Sequence, residues 1–108
     1  MAVLGELEQF VMLAVLRLGE DGAYGEAVRR ELAQRAGRSA SLSTVYVTLM
    51  RLQEKGLVRT WLGEPEARRG GKAKRLFAVT PAGVRELESA HRAHQRMWEG
   101  VRVREARG

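Results

Sequence analysis

Apolar residues recur every three or four positions along four stretches of the chain. Two short β-rich stretches separate the third from the fourth. In residues 5–18, Leu7, Phe10, Val11, Ala14, Val15 and Leu18 make one helical stripe, and Met12, Leu13 and Leu16 add a second. A helix apolar on nearly all sides needs partners on two of them. In so short a chain one partner is the domain's own core, and a second subunit is the expected other. Gly19 ends this helix. Tyr24 to Ala36 reads as a second helix, with Tyr24, Ala27, Val28 and Leu32 inward and Arg29, Arg30, Glu31 and Arg35 outward; Gly37 ends it.

The stretch from Ser41 to Gly56 reads as a third helix with marked ends. Ser41 or Ser43 is suited to cap its start, and Gly56 to take the left-handed turn that closes it. Val45, Leu49 and Leu52 form the core stripe. The opposite face carries Thr44, Val47, Thr48, Arg51 and Lys55. Such a face is short-chained, able to hydrogen-bond and positive, which suits entry into a DNA major groove. Taken alone, the stretch reads equally well as an ordinary surface helix.

Residues 57–62 and 75–80 read as two strands of a hairpin. The loop between them, Gly63 to Lys74, is basic through Arg68, Arg69, Lys72 and Lys74, with Arg75 where the second strand begins. Beside a recognition helix, such a loop is what a phosphate-contacting or minor-groove wing requires; in isolation it reads as a solvated loop. Thr80-Pro81 opens a last helix, because a threonine caps well and proline suits the first helical position. Gly83 stands where a capping box would want Glu. Val84, Leu87, His91, His94, Trp98 and Val101 then alternate by three and four residues in a narrow seam that suggests dimerisation. The pattern predicts an α+β, mostly α fold: a winged helix-turn-helix of three helices and a β-hairpin wing over residues 1–80, continuous with a C-terminal dimerisation helix over 81–108.

Composition narrows the function. The 108 residues fit one domain and carry a net charge of +6; the isoelectric point is near 10.7. The first suspect is an acidic partner, nucleic acid above all. With no cysteine, disulfides, thiolate nucleophiles and cysteine-ligated metals are excluded. The apolar run from Phe10 to Leu16 is too short to span a bilayer and follows Glu6 and Glu8, not a positive leader. A cytoplasmic protein without a membrane partner is therefore expected. No nucleophile elbow, Gly-rich phosphate loop after a strand or carboxylate pair supports an enzyme, and no cofactor is implied. His91 and His94 lie three residues apart without an acidic or thiol cluster to complete a metal site, so they read as polar positions of an interface seam. Trp98 on the same seam reads first as packing, and at a subunit interface it could stack on a flat ligand.

The order Tyr24-Gly25, then Ser43-Thr44-Val45-Tyr46-x-x-Leu49-x-Arg51-Leu52-x-x-x-Gly56-Leu57-Val58, then Arg69-Gly70-Gly71-Lys72-Ala73-Lys74-Arg75-Leu76-Phe77-Ala78-Val79-Thr80-Pro81-Ala82-Gly83 resembles the PadR family of winged-helix transcriptional regulators. The resemblance spans nearly the whole chain and points to the short subgroup with a single C-terminal helix. It implies a homodimer built from the first and last helices, a third helix in the major groove, a wing on the backbone or minor groove, and usually repression. By motif match, Ser43, Thr44, Tyr46 and Arg51 would face DNA, with Tyr46 and Arg51 at phosphates and Lys72 and Lys74 in the wing. Some short members hold flat aromatic compounds at the dimer interface beside a Trp of the last helix, which makes Trp98 a candidate. The chain departs from the family pattern at Val47, where proline is usual, at Ser43, where glycine is common, and at Leu76 and Phe77, where tyrosines are frequent.

The expected partners are double-stranded DNA, a second copy of the chain and a flat aromatic small molecule. Ser43, Thr44, Tyr46, Val47, Thr48 and Arg51 are the candidate DNA contacts of the helix, and Arg68, Arg69, Lys72, Lys74 and Arg75 those of the wing. Phe10, Leu13, His91, His94 and Trp98 are the candidates for the interface and effector. The alternative is a winged-helix protein-interaction module without specific DNA binding. RNA is a weaker reading, because six aromatic residues are few for a base-stacking platform.

Overall fold

The computed structural model describes residues 4–64 and 73–103. Its elements run α1 (Glu6–Leu18), α2 (Gly25–Ala36), α3 (Leu42–Glu54), β1 (Val58–Leu62), β2 (Arg75–Val79) and α4 (Pro81–Trp98). The arrangement is the winged helix-turn-helix expected from the apolar pattern. Arg68, Arg69 and Lys72 lie outside the described residues.

Capping chemistry sets the ends of the helices. Ser41, not Ser43, caps α3: its Oγ accepts from Thr44 N at 3.1 Å. Gly56 takes φ 75° and closes the helix. At α1 the Glu8 carboxylate accepts from Gly5 N at 3.0 Å; Gly5 has no side chain to answer it. Thr80 caps α4 by accepting from Gly83 N at 3.1 Å, and its own hydroxyl donates to Gly56 O at 2.8 Å. The end of α3 and the start of α4 are thus tied at one residue.

The core is one cluster. Val11, Met12 and Val15 of α1 meet Val28 and Leu32 of α2, Val45, Leu49 and Leu52 of α3, Phe77 of β2 and Leu87 of α4. Burial of these side chains is the main favourable term in folding. Within α1 the two expected stripes are redistributed. Met12 is fully buried, whereas Leu13 and Leu16 of the same stripe are 44% and 47% exposed.

β1 and β2 pair antiparallel with Trp61 opposite Leu76 and Thr60 opposite Phe77. Gly63 N donates to Lys74 O at 2.7 Å where the wing leaves the sheet. Tyr24 corrects the expectation of a helical, inward residue. It is the extended N-cap of α2 and makes an isolated antiparallel bridge to Leu76. Phe77 N donates to Ala23 O at 2.9 Å beside it. The Ala23–Tyr24 backbone therefore serves as a minimal third strand. Val101 also departs from the expected seam: α4 ends at Trp98, and Gly100 turns the chain with φ 73°.

Candidate nucleic-acid interface

The exposed face of α3 carries Ser43, Thr44, Val47 and Arg51. Their exposure follows from the burial of Val45, Leu49 and Leu52 on the other side. Ser41 Oγ donates to Thr44 Oγ1 at 2.9 Å, which leaves the Thr44 proton free to donate outward. Arg51 makes no ion pair or side-chain hydrogen bond among the described residues. Six other cations there do pair with carboxylates: Arg17 and Arg35 with Glu31, Arg29 with Glu26, Arg38 with Glu6, Lys55 with Glu8, and Arg59 with Glu20.

Two of the expected helix residues are less exposed than that face. Thr48 is not on the outer face: it is 5% exposed, and its hydroxyl donates to Thr44 O at 2.8 Å. A threonine satisfied by its own helix backbone can be buried at little cost, so its polarity misleads a reading by face. Tyr46 is half-buried. Its ring meets Phe77 edge-on with centroids 6.2 Å apart and fills the space beside Gly25.

At the base of the wing, the Lys74 ammonium stands 4.1 Å from the centroid of the Tyr24 ring. Arg30 Nη2 donates to the Tyr24 hydroxyl at 3.0 Å. Arg75 is half-buried, with Nη1 3.4 Å from Thr60 Oγ1. Tyr24 and Arg30 are not among the interface residues that the sequence singles out. The Tyr-Gly pair at a helix start was the available signal.

Two carboxylates of α1 brace α3 from behind. Glu6 pairs with Arg38 in the linker before α3, and Glu8 Oε2 accepts from Lys55 Nζ at 2.7 Å just after it. Burial alone would raise the Glu8 pKa, but the Lys55 and Gly5 N–H donors outweigh it and hold the carboxyl below its ordinary value. Glu26 is likewise held low, first by the hydrogen bond from Arg29.

A second site lies between α1 and α4. Phe10, Leu13, His91, His94 and Trp98, singled out separately in the sequence, all line one open groove of about 900 Å³. Leu87, Gln9, Gln95 and Glu99 complete it. Among the described residues, no group of three His, Asp or Glu side chains could hold a metal ion. No described helix is long and apolar enough to cross a membrane.

Comparison with known proteins gives a consistent picture. The model of the transcriptional regulator PadR-like family matches residues 12–89. A PadR family transcriptional regulator from Eggerthella lenta is 27% identical, with a TM-score of 0.66 over 88% of this chain and 81% of that one. A transcriptional regulator from Clostridium thermocellum has a TM-score of 0.69 at 14% identity, covering 86% of each chain. Bacillus subtilis PadR, solved in complex with operator DNA, has a TM-score of 0.61 at 22% identity, over 78% of this chain and 46% of that one. No curated protein matches the chain.

Proposed function

The chain belongs to the PadR-like family, whose members are transcriptional regulators and not enzymes, and from that premise we propose that it is a cytoplasmic transcriptional repressor that binds double-stranded DNA sequence-specifically as a homodimer. The observation that carries this reading is the α3 face. Ser43, Thr44, Val47 and Arg51 are exposed there with no carboxylate partner among the described residues, in a chain whose sequence continues into a basic loop. The solved operator complex of Bacillus subtilis PadR supports the same use of this fold.

Residues 1–80 form the DNA-binding part, and 81–108, with α4, the dimerisation part. Two α3 helices occupy half-sites about 34 Å apart on a pseudo-palindromic operator. Tyr46 and Arg51, with Arg68, Arg69, Lys72, Lys74 and Arg75 of the wing, contact phosphates. Thr44, Val47 and Arg51 discriminate bases, and Ser43 borders them. The half-exposed Leu13 and Leu16 of α1, the exposed Met97 and Trp98 at the end of α4 and Val101 just past it supply the apolar surface for a second copy. A flat aromatic molecule seated against Trp98 in the α1–α4 groove releases the DNA.

The test is binding of the purified protein to a duplex from its own promoter and to a shuffled duplex, across a salt series. Preference for the promoter with a steep salt slope supports the reading. Absence of binding to either duplex at low salt overturns it in favour of a protein-docking module.

A further inference from the structure

The Tyr24, Arg30 and Lys74 cluster has no role in the proposed function beyond the placing of Lys74 in the wing. Tyr24 lies between the two proposed DNA contacts. Its backbone bridges Leu76 of the wing strand, and its neighbour Gly25 is packed against Tyr46 of α3. Three elements therefore meet at this residue: the start of α2, the outer part of α3 and the base of the wing.

The chemistry there is that of an anion site. Arg30 donates to the phenol oxygen at 3.0 Å. The phenol's own proton is then directed away from Arg30, available to an acceptor outside. Lys74 is an exposed residue whose ammonium is held over the ring at 4.1 Å. The exposed Arg30 has no carboxylate within ion-pair distance among the described residues, although its neighbour Arg29 is paired with Glu26. Two cations and a hydroxyl are thus fixed around one half-buried ring. The geometry lowers the entropy lost when they close on a ligand.

We propose that Tyr24, Arg30 and Lys74 form a phosphodiester clasp, through which α2 grips the DNA backbone between the recognition helix and the wing. Arginine and a phenolic donor suit phosphate oxygens. The site fixes register on the duplex and reads no bases. The inference rests on the DNA-binding reading above, and the test separates the two.

Because phosphate contacts carry no sequence information, a mixed duplex of roughly 30 base pairs, long enough for two half-sites, serves as the probe. Wild type, Arg30→Gln, Arg30→Lys, Tyr24→Phe and Arg35→Gln are titrated across a salt series. Arg35 is paired with Glu31 and controls for the loss of one positive charge elsewhere. Taking one cation away from a phosphate lowers the slope of log affinity against log salt by about 0.9, hence by about 1.8 for a dimer that loses one at each half-site. Arg30→Gln is expected to show that drop and to bind several-fold more weakly. Arg30→Lys restores the slope. Tyr24→Phe weakens binding at an unchanged slope, since it removes an uncharged donor. Arg35→Gln matches wild type. If wild type binds and Arg30→Gln keeps its slope, or if Arg35→Gln loses as much, the clasp is refuted while the regulator stands. If wild type does not bind at low salt, the DNA reading falls and the clasp with it.

Discussion

Tyr46 occupies the space that a side chain at Gly25 would need: a Cβ built on Gly25 stands 2.7 Å from Tyr46 Cε2 and 2.8 Å from Cζ. α2 and α3 approach this closely only because residue 25 has no side chain. Gly25→Ala should therefore destabilise the domain by about 1–3 kcal/mol through overpacking. Thermal unfolding followed by circular dichroism reads the loss; an unchanged midpoint would show that the ring has room to move.

Gly83 is the position where a capping box would place Glu. A Cβ there would run into the Leu57 carbonyl oxygen and stand 2.6 Å from Val79 Cγ1. Backbone cannot step aside as the end of a flexible side chain can. Gly83→Glu, although it completes the box on paper, should lower stability by about 2 kcal/mol or more. Denaturant unfolding that gave a more stable variant would sink this account.

Arg51 is exposed and makes no ion pair among the described residues that its loss would break. Arg51→Ala should leave the unfolding midpoint within experimental scatter and weaken operator binding by about tenfold, in the range of 1–3 kcal/mol for a base-contacting arginine. Wild-type affinity in the variant would exclude α3 as the reading helix.

Glu8 links stability to pH. Its folded pKa lies below the ordinary 4.5. The stabilisation it supplies is therefore complete above the unfolded value and lost as pH falls through the folded one. Glu8→Gln should cost about 1 kcal/mol at pH 7, a modest figure for a charged bond because Lys55 is open to solvent. The gap to wild type should close as pH drops below the carboxylate range. A gap constant from pH 7 to pH 3 would contradict the assignment.

Leu13 is 44% exposed in the single chain and lines the α1–α4 groove. Leu13→Glu should leave the fold intact and shift a dimer toward monomer. Sedimentation equilibrium shows the outcome, and a dimer as tight as wild type would move the interface away from this face.

The elements that were legible in the sequence are those where one periodicity or one cap decides the structure. Val45, Leu49 and Leu52 could only be a buried stripe, and Thr80-Pro81 could only open a helix. The hairpin followed from β-branched residues on either side of a Gly-containing loop. What escaped were positions settled by neighbours distant in sequence. Thr48 passes for an outward residue until its hydroxyl is seen bonded to Thr44 O. Met12 and Leu13 are adjacent and equally apolar, and only the packing of α1 against the core decides which is buried. Tyr24 belongs to helical periodicity by spacing and to the sheet by a bridge to Leu76, far along the chain. The groove residues were recognised singly, from two different helices, and their convergence needed the fold.

Thr80 leaves no slack between the part of the chain that would read DNA and the part that projects from it. Its hydroxyl holds Gly56 O at 2.8 Å, and its N–H holds Leu57 O at 3.0 Å. α4 leaves this junction as a rod of about 27 Å, at about 1.5 Å per residue. A tilt of about 5° at its base carries Trp98 by about 2 Å. The helix is in effect a lever whose fulcrum is tied to the end of α3, so a push on its far tip would turn the helix proposed to read DNA.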